Sequence, residues 1–321
     1  MPPNMGEETG ISRRSRFAAG VAVLAGTLIL AGLPLAGKDG PSTSAPDAAY
    51  REAFEKWKQE QVDDLKKNWL TLAGLFWLKP GANSVGSDPT NAIVLPQGTA
   101  AAHAGSFELQ VETVTVKFLP GVQARIGGSA ASSGQLQLDV SGKPTIVELG
   151  SLRMLAIKRG QRIGIRVRDL DSAAARNYAG PVFYPLNMNF RVTAKWIASD
   201  GKKTIDVPNV LGDVIPTPVA GVAKFSIDGR EVSLTDLGGD PAKGLFFVFN
   251  DLTSKTDTYP GGRFLDTDPV VNGMVVLDFN RANNPPCAVT PYATCPLAPK
   301  ENRLSVAIPA GEKYDRAHGH H

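Results

Sequence analysis

Histidine and cysteine are both scarce in this chain of 321 residues: there are four of the first and two of the second. The shortage removes most metal chemistry at the outset, because a structural zinc takes four such ligands and a catalytic one about three. The histidines are also badly placed. His318, His320 and His321 crowd the C-terminal tail and leave His103 as the one imidazole in the body of the chain. A Ser-His-Asp system would have to use it, and no Gly-x-Ser-x-Gly elbow accompanies it. An excess of one charge is lacking too, since 34 Lys and Arg face 31 Asp and Glu. No basic stripe is left to neutralise phosphates, which excludes a nucleic-acid partner. Neither a Gly-rich loop ahead of a Lys-Ser or Lys-Thr pair nor a dinucleotide fingerprint after a strand occurs, so the sequence points to no cofactor and no metal.

What is present is glycine and proline, 33 and 24 of them, with 42% hydrophobic and 20% charged residues. That is the composition of a globular chain with many turns between short strands, long enough for two domains. Arg13, Arg14 and Arg16 precede the nearly uncharged run from Phe17 to Ala36. This order of a positive stretch and an apolar one marks residues 1–37 as a signal peptide or membrane anchor. Pro34 would stand at the −3 position if cleavage followed Ala36, so an uncleaved anchor stays open. Both readings place the body outside the cytoplasm, in the periplasm or the extracellular space. Residues 38–48 have the small, polar, Pro-containing composition of a flexible linker. In an oxidising compartment Cys287 and Cys295, separated by seven residues in a Pro-rich segment, are expected to form one local disulfide.

Periodicity then assigns the fold as mainly β, with one N-terminal helix. Tyr50, Phe54, Trp57, Gln61 and Leu65 fall at helical spacing, and Asp47 is placed to cap the start. The apolar run from Trp69 to Trp77 suits a face that docks this helix onto a sheet. Short alternating runs such as SFELQVETVTVKFL and RIGIRVRDL, bounded by Gly, Pro and Asn, follow as a β-sandwich over residues 49–180 together with the helix. A second antiparallel β unit occupies 181–313, with turns at Asp228-Gly229 and Asn272-Gly273, and a His-containing tail covers 314–321.

On a strand from Met274 to Asn280, alternation puts Asp278 and Asn280 on one face and Val275, Leu277 and Phe279 on the other. Arg281 follows at once. A neighbouring apolar strand delivers Asp251 to its end, with Tyr259 and Arg263 near a Gly-containing turn, while Tyr292 and Asn302 flank the cysteine loop. Such a strand-end cluster suits a polar small molecule or an envelope component. The alternative is a hydrolase or lyase in which Asp251 and Asp278 serve as acid and base and Arg263 stabilises negative charge. Both leave contact with a membrane to the N-terminal segment alone. Strand-end Asp and Asn also cap turns, and Glu301-Asn302-Arg303 is equally suited to locking a Pro-rich loop by bonds to backbone.

Two resemblances accompany these readings. Gly86, Ile93, Leu95, His103 and Ala104 resemble the core pattern of forkhead-associated domains, which implies a forkhead-associated-like sandwich for the N-terminal part. Ser87 stands where that family has its arginine, and Ala100 or Ala101 where it has its serine, so the resemblance does not extend to phosphothreonine reading. The segments DFNRA, NPPC, YATCP and ENRL resemble the signature of a bacterial family of exported proteins known as a domain of unknown function, over roughly Trp69 to Lys313. Asn283 and Pro260 depart from it, where tyrosine and glycine are usual.

Overall fold

The structure, a computed structural model, describes residues 45–316. The export segment, linker residues 38–44 and the tail histidines lie outside the described residues. Asp47 caps the helix Ala48–Asp64 by accepting a hydrogen bond from the Tyr50 N–H at 2.7 Å. The helix closes through a π turn at Leu65–Trp69. Among the described residues no helix is long and apolar enough to cross a membrane.

The first unit contains β1 (Leu72–Trp77), β2 (Gly81–Gly86), β3 (Ile93–Val94), β4 (Gly105–Gln110), β5 (Thr113–Phe118), β6 (Arg125–Ile126), β7 (Ser129–Ala130), β8 (Ser133–Leu136), β9 (Val147–Leu149), β10 (Leu152–Arg159) and β11 (Arg162–Asp169). They form a five-stranded sheet, β3-β2-β4-β5-β8, and a six-stranded sheet, β1-β11-β10-β9-β6-β7. All pairings are antiparallel except β2 with β3. Alternation decides which side chains fill the space between the sheets: Phe107, Val114 and Val116 meet Met154, Ile165 and Val167 there. Gly86 is required by a close approach, since a Cβ at that position would lie 2.1 Å from the Ala102 carbonyl oxygen. His103 makes a turn contact, with Nδ1 3.3 Å from Asn91 Oδ1.

The second unit contains β12 (Arg191–Ala198), β13 (Thr204–Pro208), β14 (Val214–Pro218), β15 (Gly221–Ile227), β16 (Arg230–Thr235), β17 (Phe246–Phe249), β18 (Arg263–Asp266) and β19 (Met274–Asp278). Its main sheet runs β16-β15-β12-β19, beside the pairs β13-β14 and β17-β18. Asp228 and Asn272 take positive φ ahead of Gly229 and Gly273, as tight turns at Asp-Gly and Asn-Gly require. Phe225, Phe249, Leu277 and Phe279 fill one core of this unit. A second core gathers Phe246, Phe264, both cysteines and, from the N-terminal side, Trp69 and Leu72.

The helix reaches the sandwich at its C-terminal end, where Arg168 donates to Asn68 Oδ1 at 3.3 Å. Its N-terminal half lies on the second unit instead. Phe54 and Trp57 make edge contacts with Phe183, at 5.5 and 5.8 Å between ring centroids. The six-stranded sheet is covered on both faces. Ile163, Ile165 and Val167 face the sandwich core, while Arg159 and Arg166, on the other face, reach Thr294 of the cysteine loop.

Candidate functional site

Asp278 ends β19 opposite Arg191, its register partner at the start of β12. The chain then turns through Phe279–Arg281, and this brings three of the sequence-predicted residues together. Val275, Leu277 and Phe279 are buried in the core, so the alternation that places Asp278 on the opposite face holds. Asn280 Nδ2 donates to Asp278 Oδ1 at 3.3 Å. Its amide also pairs with the Asn187 backbone, accepting from N–H at 2.9 Å and donating to the carbonyl at 3.0 Å. Arg191 and Arg281 flank the same carboxylate, each Nε standing 3.5 and 3.8 Å from Oδ2. The Arg281 Nε is buried without a hydrogen-bond partner.

The helix supplies the remaining contact. Tyr50 donates its hydroxyl to the Asp278 carboxylate, 3.0 Å from both oxygens. Burial, and then the Asp278 charge, raise the phenol well above its ordinary pKa, so it stays a donor. Arg191 and Arg281 lie over the rings of Tyr50 and Trp57 at 5.9 and 6.0 Å. Next to this cluster is a recess of about 420 Å³ lined by Pro46, Pro185, Leu186, Asn187, Met188 and Pro309. Asn187 belongs to both.

Asp251 and Arg263 take a different form from the one the sequence suggests. They meet as an ion pair whose side chains are 0% exposed. Asp251 Oδ1 also accepts from the Thr253 N–H and hydroxyl, each at 2.6 Å, and Arg263 donates to the carbonyls of Ala310 and Ile308. Arg263 further lies over the Phe249 ring at 5.0 Å. The expectation that Asp251 works with Asp278 as acid and base, beside Arg263, is therefore corrected. Asp251 and Asp278 share no hydrogen-bond or ion-pair partner, and the first is sealed from solvent. Stripping one partner from such a pair strands a buried charge at a cost of about 3–5 kcal/mol. A structural tie fits this geometry.

The other predicted residues are scattered. Asn302 is fully buried and locks backbone, accepting from Thr235 N–H at 2.7 Å and donating to the carbonyls of Thr235 and Val248. Tyr292 is half-buried and packs against the second core. The Tyr259 hydroxyl lies 3.3 Å from Cys287 Sγ. Cys287 and Cys295 are both buried free thiols, so the expected disulfide is absent from this structure. The loop is held by its surroundings: Pro286–Ala288 forms a 3-10 turn, and the Val210 N–H donates to the Cys295 carbonyl at 3.1 Å.

Three residues of these clusters escape a reading of the sequence alone. Tyr50 reads as part of a helical apolar stripe, and Arg191 as the first residue of an ordinary strand. Glu312 looks like an exposed residue near the tail. It is instead buried, accepting from the Asn284 N–H at 2.8 Å, and burial pushes its carboxyl up to about 7 against the hydrogen bonds of Asn284 and the charge of Arg263. Among the described residues no group of three His, Cys, Asp or Glu is arranged to hold a metal ion.

No curated protein matches the chain. An uncharacterised protein of Haloarcula marismortui, solved by solution NMR, is 27% identical, with 44% of this chain and 80% of that one covered and a TM-score of 0.38. The FhaA FHA domain, solved in complex with the intracellular domain of Rv3910, is 15% identical over 29% of this chain and 97% of its own, with a TM-score of 0.21. A second FHA structure, from a study of phosphothreonine-dependent interactions, has the same identity and TM-score with 92% of its own chain covered. Residues 176–313, which carry every site residue foreseen from the sequence, match the model of a family described as a protein of unknown function (DUF1684).

Proposed function

We propose that this chain is an exported binding protein of the cell envelope, which takes a small polar ligand with an acidic group at the strand-end cluster of its second unit. One observation carries the reading. At Asp278 a single carboxylate stands between two guanidinium groups at 3.5 and 3.8 Å, distances too long for good hydrogen bonds, beside a recess of about 420 Å³. Two cations around one anion leave room in charge for a second carboxylate or a phosphate. The closed Asp251–Arg263 pair favours binding over acid–base catalysis, because the cluster is left with a single carboxylate, that of Asp278. Export is supported by Arg13, Arg14, Arg16 and the apolar run that follows them.

The test is a thermal-shift titration of the purified chain with inorganic phosphate, acetate, glucuronic acid, glucosamine and a short acidic peptide, repeated on Arg191→Gln and Asp278→Asn. A ligand that binds only the folded state raises Tm with concentration. A dose-dependent rise with an acidic probe, lost in Arg191→Gln, supports the reading. No rise with any probe, or a rise that survives both substitutions, rejects it.

A further inference from the structure

Independently of that reading, the cysteine loop carries a chemistry of its own. Cys287 and Cys295 share the second core, where each shifts the titration of the other, and the Tyr259 hydroxyl lies 3.3 Å from Cys287 Sγ. On the far side of the loop two guanidinium groups converge on Thr294, the residue before Cys295. Arg159 Nε reaches its hydroxyl at 3.2 Å and Arg166 Nη2 at 3.5 Å. Arg159 is paired with Asp139 at 2.6 Å. Arg166 is only 5% exposed, has no carboxylate partner among the described residues, and keeps a buried Nε without a hydrogen bond.

A buried cation left without an anion is costly unless a neighbour can become one. Burial lowers the Arg166 pKa to about 10, and Cys295 is among the groups whose charge opposes that fall. The two thiols are not equivalent. Cys287 is 6% exposed against 1% for Cys295. The hydrogen bond with Cys295, then that with Tyr259, hold the Cys287 thiol below its ordinary range, whereas burial pushes Cys295 well above it. A thiolate is the attacking species in exchange with a disulfide, and a resolving thiol beside it completes the reaction.

We propose that Cys287 and Cys295 form a thiol–disulfide exchange site, with Cys287 attacking, Cys295 resolving, and a small disulfide of the glutathione class as the oxidising substrate. Cys287 gives its proton to solvent, and its thiolate attacks one sulfur of the small disulfide. That S–S bond breaks, a mixed disulfide forms on Cys287, and the departing thiolate takes a proton. The Cys295 sulfur, after losing its proton, attacks the Cys287 sulfur. The Cys287–Cys295 bond forms and the second small thiolate leaves and is protonated. Two protein thiols are oxidised and one small disulfide is reduced to two thiols. The product bond fixes the loop where Thr294 meets Arg159 and Arg166, and so joins the second unit to the outer face of the six-stranded sheet. Arg166 is a positioning residue in this scheme.

The experiment starts from the fully reduced full chain, under native conditions, exposed to a series of oxidised-to-reduced glutathione ratios and followed by intact mass and peptide mapping. The expected result is a loss of about 2 Da with a Cys287–Cys295 peptide, reversed by reduced glutathione. Cys295→Ser traps glutathione on Cys287, and Cys287→Ser reacts at least roughly tenfold more slowly. Arg166→Gln moves the pH midpoint of the reaction upward while Arg166→Lys restores it. Absence of oxidation at every ratio, with far-UV circular dichroism showing the fold intact, overturns the proposal. So do oxidation that needs urea, glutathione trapped on Cys295 in the wild-type chain, and a pH profile indifferent to Arg166→Gln.

Discussion

Glu312 sets the sharpest conflict between a single residue and its surroundings. Its carboxyl has only the backbone and side chain of Asn284 and the charge of Arg263 to oppose the loss of water. Raised from 4.5 to about 7, it binds a proton in the folded chain over a range where the unfolded chain has released it. Folding stability contributed by this group is therefore complete below pH 4.5, falls as pH rises through the window to about 7, and is lost above it. The size of the fall is on the order of 3 kcal/mol. Glu312→Gln keeps the oxygen that accepts from Asn284 but never ionises. Urea unfolding of both proteins between pH 4.5 and 8 should show the variant gaining on the wild type by about that amount across the window. A difference that stays level, or that shrinks with rising pH, would mean the carboxyl is solvated. Position 312 lies ten residues beyond Asn302 and among charged neighbours in GEKYD, so local sequence carries no sign of its burial. The signal is the Asn284 backbone, 28 residues away.

Elements show where sequence reasoning is strong and where it fails. The helix start at Asp47, the Asp-Gly and Asn-Gly turns, and the in-out pattern of Val275, Leu277 and Phe279 are all local, fixed by capping, positive φ and a period of two. The partners of the helix are not local. Tyr50 reaches Asp278 across 228 residues, and nothing in the spacing of Tyr50, Phe54 and Trp57 names the surface they cover. Only Phe54 is buried along the helix Ala48–Asp64, so the element is held by a few contacts at the strand-end cluster. Local opening should follow from that. Tyr50→Phe removes the one hydroxyl that bridges both Asp278 oxygens, at a net loss of about 1.5–3 kcal/mol for a bond to a charged acceptor. Hydrogen exchange should speed up by roughly tenfold in residues 48–58, while β10 and β11 keep their protection. Equal exchange in the two proteins would show that the aromatic contacts with Phe183 alone hold the helix down.

At the scale of the molecule, the family match and the folded unit do not have the same edge. The match begins at residue 176, yet the second core beneath the cysteine loop includes Trp69 and Leu72, and Phe183 is covered by Phe54 and Trp57. Arg159 and Arg166 also reach across to Thr294, and Arg162 pairs with Asp213. A fragment that starts at 176 thus loses a tryptophan that is 2% exposed in the whole chain, together with the aromatic cover of Phe183. Deleting a buried side chain of that size costs about 3–5 kcal/mol. The apolar surface that Trp69, Leu72, Phe54 and Trp57 cover in the whole chain is bared in the fragment, which favours dye binding and self-association. Residues 171–316 expressed alone should therefore melt well below residues 45–316 and bind a hydrophobic dye that the longer chain excludes. The longer chain should unfold in one transition, because the helix and the Trp69–Leu72 segment belong to both units. If the fragment keeps the Tm of the longer chain and binds no dye, the second unit is a self-sufficient domain, and the sandwich with its helix is a separate module resting on it.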